Sequence, residues 1–196
     1  MHTSSSYRGV WRRVAMSVCA AAVLGLSACA VTSTASSGNT TLALPAAEKW
    51  AMLPLLNRTE TPLAGLRAES IVEPLLVQHG LTQLQLYPSA LAKDSMLAAD
   101  DRAAVDAARQ WAQSQTIRYA IGGSVDEWRY KVGVDGEPAV GISLMVWDLQ
   151  TGQVVWSGVG GKSGYSREAL SAVAQKLISK LIEDLPLTRG ASAAAQ

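Results

Sequence analysis

"TIRYAIGGSVDEWRYKVGVDGEPAVGISLMVWDLQTGQVVWSGVGG", Thr116 to Gly161, decides the fold. Three segments, roughly 117–132, 139–148 and 153–160, are rich in β-branched and aromatic residues, and Asp135-Gly136 and Thr151-Gly152 interrupt them. Such runs, joined by short glycine turns whose twist matches that of paired strands, predict an antiparallel meander. Gly122-Gly123 and Gly158-Val159-Gly160-Gly161 lack the Lys-Ser/Thr ending of a phosphate loop. They read as bulges or close backbone approaches.

Toward the N-terminus the periodicity changes. Asp100, with Asp101 behind it, starts a helix in which Ala104, Ala107, Ala108 and Trp111 recur at helical spacing. A strand near Leu84 to Tyr87 precedes it and is ended by Pro88. "TPLAGLRAESIVEPLLVQHG", Thr61 to Gly80, reads as a helix with Thr61 as N-cap, Pro62 at the first helical position and Gly80 as the stop. Leu63, Leu66, Ile71, Leu75 and Leu76 form its predicted apolar face, and Pro74 is expected to kink it. "KWAMLPLLN", Lys49 to Asn57, is a buried first strand. On the C-terminal side Ser166 is the predicted cap of a last helix. In it Leu170, Val173, Leu177, Ile178, Leu181, Ile182 and Leu185 recur at the 3–4 spacing until Pro186. The order is β-α-β-α-β-β-β-α, an α/β (α+β) fold with a single mixed sheet and helices packed on it.

The start of the chain is of another kind. Arg8, Arg12 and Arg13 precede the apolar run Val14 to Leu26, which is too short for a permanent membrane span. This is an export signal. It ends in Leu26-Ser27-Ala28-Cys29, which resembles a bacterial lipobox. The resemblance implies cleavage before Cys29 and acylation of Cys29, so residues 1–28 are a signal peptide. Two or three acyl chains suffice for stable anchoring in lipid. Ala30 stands where an inner-membrane retention signal would have Asp, which favours the periplasmic face of the outer membrane. Residues 29–45 then read as a lipidated cysteine and a flexible Ser/Thr-rich tether, with a reach of about 20–24 Å. Residues 46–187 are the globular domain and 188–196 a disordered tail.

Removing the signal leaves fourteen basic against sixteen acidic residues, a formal charge of −2. That argues against a nucleic-acid partner. Of the two cysteines, Cys19 is lost with the signal, so no internal disulfide is available. His79 is then the sole histidine, at a helix end where a structural role suffices. Neither a zinc site nor a Ser/His/Asp triad is supported, no cofactor is called for, and the chain does not read as an enzyme. Asp126 and Glu127, adjacent on a strand, are expected to face opposite sides. Trp128, Tyr130, Trp147 and Trp156 read as cross-strand pairs of the meander. Lys162, Tyr165 and Arg167 stand in "GGKSGYSRE", an aromatic ring between two cations, which suits a membrane interface.

"EWRYKVGVDGEPAVG" followed by "SGYSREAL", with "WAMLPLLNRTETP" upstream, resembles the PelC family, outer-membrane lipoproteins of Pel exopolysaccharide export. The layout is also similar to the curli secretion lipoprotein and to the periplasmic activators of peptidoglycan synthases. The family resemblance implies a homo-oligomeric ring, a dodecamer, beneath the Pel porin, guiding a cationic polysaccharide to the channel for biofilm formation. Asp126, Asp135 and Glu137 are the carboxylates expected to guide the sugar, with Asp94, Asp100 and Asp101 as alternatives. Family members carry Trp where this chain has Tyr165, in the segment assigned to the membrane. Two other classes stay open. A monomeric lipoprotein activating a periplasmic cell-wall synthase would use the same fold. A pore-forming secretion lipoprotein would need lipid-facing strands, and Asp126, Glu127, Arg129, Lys131, Asp135 and Glu137 crowd the longest hairpin.

Overall fold

Three long antiparallel strands make the centre of a mixed sheet, and helices cover both of its faces unequally. The computed structural model describes residues 35–37, 43–88, 91, 101–132 and 136–188. In chain order these form β1 (Ala35–Ser37), β2 (Leu44–Pro45), β3 (Trp50–Asn57), α1 (Ala64–His79), β4 (Leu84–Leu86) and α2 (Asp101–Ser114). The meander follows as β5 (Tyr119–Tyr130), β6 (Pro138–Asp148) and β7 (Gln153–Ser163), then α3 (Leu170–Glu183) and β8 (Leu187–Thr188). The six-stranded sheet has the order β1-β7-β6-β5-β3-β4. β3 runs parallel to β4 and β5, and the remaining neighbours pair antiparallel. The parallel pairs need crossovers, which α1 and α2 supply. β2 and β8 form a separate parallel pair that joins the two ends of the packed chain.

One face of the sheet carries α1 and α3 over the larger core. Trp50, Ile121, Val125, Trp128, Ile142, Leu144 and Trp156 from the strands meet Val72, Leu76, Leu177, Ile178 and Leu181 from the helices. In α3 the buried positions are Val173, Ala174, Leu177, Ile178, Leu181 and Ile182, the expected stripe. Trp50 stacks on Tyr119 at 5.1 Å and donates its indole N–H to the Pro45 carbonyl at 3.0 Å. Each fully buried Leu or Ile stabilises the fold by about 1.5–3 kcal/mol. The other face has a smaller core, in which α2 sets Ala108 and Ala112 against Ala51, Leu53, Ala120 and Trp147.

A bulge in β3 explains the tightest packing. Pro54 has no N–H to donate, and the β3–β5 register shifts between Met52 and Leu55. The Leu55 N–H turns out of the ladder and is donated to the Glu69 carboxylate of α1 at 2.8 Å. Opposite Leu55 lies Gly123, where a Cβ would come within 1.9 Å of the Ser143 carbonyl oxygen. At Gly65, in the first turn of α1, a Cβ would come within 2.2 Å of the Leu55 carbonyl oxygen. Both glycines permit close backbone approach, as the first was expected to.

Several local expectations are corrected. Thr61 is no N-cap: α1 begins at Ala64, Leu63 precedes it at φ 60, and the Thr61 hydroxyl is donated to the Trp128 carbonyl. The buried face of α1 is Ala64, Gly65, Ala68, Val72 and Leu76, while Leu63 and Leu66 are exposed. Small residues face β3 because the helix lies so close to it. Ala107 is exposed, and the seam of α2 runs instead through Ala108 and Ala112. Ser166 does not cap α3, which starts at Leu170 after Ala169. Trp128, Trp147 and Trp156 do stand in cross-strand pairs, opposite Val140, Val154 and Val146 respectively, and all three are core residues as well. Leu44 is fully buried, Thr188 lies in β8, and residues 35–37 form the short strand β1.

Candidate functional site

The meander's strands end together on one side of the sheet. Tyr130 on β5 lies opposite Pro138 on β6, and Gly164, just past β7, donates its N–H to the Pro138 carbonyl at 2.8 Å. One residue further out come Lys131, Glu137 and Tyr165. The Lys131 N–H is donated to the Glu137 carbonyl at 2.7 Å, and its ammonium reaches the Ser163 hydroxyl at 2.7 Å. The Glu137 carboxylate stands 3.8 Å from that ammonium, with both side chains about half exposed. Such a pair contributes at most about 1 kcal/mol.

The segment after β7 is a hydrogen-bonded turn. One Glu168 oxygen accepts the Tyr165 N–H at 3.1 Å, the other accepts the Lys176 ammonium at 2.7 Å, and the Glu168 N–H is donated to the Tyr165 carbonyl at 3.0 Å. The Lys176 hydrogen bond first, then the Tyr165 N–H, hold the Glu168 carboxyl below its ordinary range. A Cβ at Gly164 would meet both Glu168 and Val173 at 2.5 Å, so the turn sits tightly on α3. Arg167 has φ 70, a left-handed conformation that costs about 1–2 kcal/mol for a residue with a Cβ. The result is a fixed turn presenting Tyr165, 64% exposed, between Lys162 on β7 and Arg167.

Asp126 lies elsewhere, on the part of the sheet's second face beside α2. The Ser124 hydroxyl is donated to one of its oxygens at 2.9 Å and the Ser143 hydroxyl to the other at 2.7 Å, with Arg58 3.8 Å away. A β5–β6 register shift between Val125 and Glu127 breaks the strand alternation there. Asp126 reaches Ser143, and the Glu127 Cβ sits against the Cα side of Gly141, two residues before Ser143 on β6. Both carboxylates therefore share one face, contrary to the alternation expected for an unbroken strand. Glu127 pairs with Arg129 at 2.9 Å.

The structure thus brings Glu137 to the end that carries Lys162, Tyr165 and Arg167, and keeps Asp126 apart. Cys29, Asp94, Asp100 and Asp135 lie outside the described residues, as does the side chain of Asp101 at the start of α2. Among the described residues no three His, Cys, Asp or Glu side chains converge as metal ligands, and no helix is long and apolar enough to cross a membrane. Two residues escaped the sequence reading. Glu69 is a half-buried carboxylate whose pKa burial raises, although the Leu55 N–H lowers it. Its place four residues after Gly65 and three before Val72 put it on the buried side of α1. Val132 stands fully exposed beyond Tyr130.

Comparison with solved structures supplies the relationship. The fold matches PelC dodecamers from Paraburkholderia phytofirmans in two crystal forms, at 36% identity, covering 81% of this chain and 100% of those chains, with TM-scores of 0.65 and 0.66. The chain belongs to the PelC family. The lipoprotein GNA1162 from Neisseria meningitidis shares the fold at 16% identity, with a TM-score of 0.51 over 69% of this chain and 96% of that one. No protein-family model matches the chain, and no curated protein does. Within the PelC fold, the meander quoted at the outset forms the sheet centre and the tyrosine turn closes one end of it.

Proposed function

We propose that the chain is an outer-membrane lipoprotein, cleaved after residue 28 and acylated on Cys29, that assembles a periplasmic ring guiding cationic Pel exopolysaccharide to its outer-membrane porin. The observation that carries this reading is the 36% identity over the full length of PelC chains crystallised as dodecamers. By the same relationship the ring has twelve copies, made from one repeated subunit contact. Twelve mature chains at −2 each carry a formal charge of −24. A closed ring of that sign concentrates a cationic polymer at its opening.

In this assignment Lys162, Tyr165 and Arg167 touch the membrane: the exposed ring sits at headgroup depth and the cations meet phosphate. Asp126, Asp135 and Glu137 guide the sugar, with Asp94, Asp100 and Asp101 as the alternatives. Asp126 beside Arg58 and Glu137 beside Lys131 each act against a neighbouring cation, so guidance rests on the field summed over the ring rather than on one carboxylate. No catalytic residue or cofactor enters this scheme.

The test is genetic. Removing the chain from a Pel-producing cell abolishes polysaccharide export, and the wild-type chain restores it. Cys29→Ala, expressed at equal level, restores neither export nor recovery of the chain with the outer membrane. Full export by a strain lacking the chain would contradict the proposal.

A further inference from the structure

We propose that Glu168 is a positioning residue: its carboxylate closes the turn that carries Tyr165 and Arg167, so that both side chains stand in their lipid-binding arrangement before the chain meets a membrane. The proposal rests on the membrane reading of that turn above and adds to it the residue that sets its shape. Tyr165 to Glu168 form a four-residue turn, in which the Glu168 N–H is donated to the Tyr165 carbonyl at 3.0 Å. Arg167, the third residue, has φ 70, and Ser166, the second, is not left-handed. That combination is a type II turn, whose third position is ordinarily glycine because a Cβ is strained there. Here the position holds a cation, so the turn needs a further tie.

Glu168 supplies it. One carboxylate oxygen accepts the Tyr165 N–H at 3.1 Å, so the first and last residues of the turn are joined by two reciprocal bonds, as in the box that closes a helix N-terminus. The other oxygen holds the Lys176 ammonium of α3 at 2.7 Å, which fixes the turn to the helix behind it. The flanks are held separately: the Gly164 N–H is donated to the Pro138 carbonyl at 2.8 Å, and the Leu170 N–H to the Tyr130 hydroxyl at 3.2 Å. Between those ties Tyr165, Ser166 and Arg167 make no side-chain hydrogen bond or ion pair among the described residues. A strained residue that its surroundings hold in place at an exposed site points to a use for its side chain. Without the carboxylate, Arg167 relaxes from the left-handed region, and the turn must be rebuilt each time it binds.

The experiment sediments residues 30–196, which contain every element of the fold, with phosphatidylethanolamine/phosphatidylglycerol vesicles as wild type, Glu168→Gln, Glu168→Ala and Tyr165→Ala. Both Glu168 variants remove the same negative charge, so attraction to anionic lipid rises equally in both. They differ in the acceptor, because the Gln carbonyl still takes the Tyr165 N–H and Ala cannot. The expected result is Glu168→Gln binding at least as tightly as wild type, and Glu168→Ala binding about fivefold more weakly than Glu168→Gln per copy, the equivalent of releasing one left-handed residue. In an Arg167→Gly background the difference should vanish, since glycine keeps the turn without help. A difference that persists there marks a general loss of folding and would overturn the proposal. Equal binding by Glu168→Gln and Glu168→Ala, with Tyr165→Ala weakened, would overturn the positioning role and leave the membrane contact standing. Unweakened binding by Tyr165→Ala would overturn the membrane reading and the proposal with it.

Discussion

Gly65→Ala sets helix propensity against packing, and the structure says which wins. Ala is favoured over Gly inside a helix by at most about 1 kcal/mol. The added Cβ, however, would lie 2.2 Å from the Leu55 carbonyl oxygen and 3.3 Å from its carbonyl carbon. Carbon–oxygen contacts settle at about 3.3 Å, so α1 must retreat from β3 by about 1 Å. One turn further along the helix, Glu69 holds the Leu55 N–H at 2.8 Å, and the same retreat would stretch that bond out of range. Overpacking costs about 1–3 kcal/mol and a lost bond to a charged acceptor about 1.5–3 kcal/mol. The two losses share one movement, so a net destabilisation of about 3 kcal/mol is expected after the propensity gain, or about 10 °C in Tm for a domain of this size. Thermal unfolding of residues 30–196 by circular dichroism, at matched concentration because association shifts Tm, reads it directly. Leu66→Ala, at an exposed site one residue away, should stay within about 0.5 kcal/mol. A Gly65→Ala chain melting at or above the wild-type temperature would refute the reasoning.

Glu69→Gln should alter the pH dependence of stability. Burial raises the Glu69 carboxyl above 4.5, so its contribution is fully present below that value and is lost as pH rises through the higher folded-state pKa. The variant, which does not ionise, therefore gains on wild type as pH climbs from about 4 to about 7 in parallel denaturant titrations; parallel profiles would sink this. Tyr165→Ala should leave the folding stability within about 0.5 kcal/mol of wild type, since the ring is exposed, yet weaken sedimentation of residues 30–196 with anionic vesicles by about fivefold per copy. Unchanged sedimentation would remove Tyr165 from the membrane surface. Ala35→Cys with Val159→Cys, directly opposite across β1 and β7, should close a disulfide on mild oxidation of residues 30–196, which contain no other cysteine. Two thiols that stay reduced would deny the β1 pairing.

The long elements were legible because their signals are local. The turn at Thr151-Gly152 and the stripe from Val173 to Ile182 lie within a few residues of what they control. Caps were misread because tertiary partners took the side chains. The Thr61 hydroxyl serves Trp128 on a distant strand, and Glu168 rather than Ser166 closes the turn before α3. The face of α1 was misjudged by following leucines. A helix this close to a strand buries its small residues, Ala64, Gly65 and Ala68, and pushes Leu63 and Leu66 outward. Nothing in the polar triplet Ala35-Ser36-Ser37 signals a strand, since the free edge of β7 is what makes it one. The tyrosine turn was visible as an exposed aromatic between cations. The setting of Asp126 was not, because Arg58 and Ser143 approach it only through the sheet register.

The central claim is assembly into a ring, and the native mass of residues 30–196 across a concentration series, with particle imaging, tests it most directly. The account predicts a uniform closed ring at twelve times the protomer mass. A monomer at every concentration, both free and with its acylated anchor in lipid, would contradict it and favour the activator of a periplasmic cell-wall synthase.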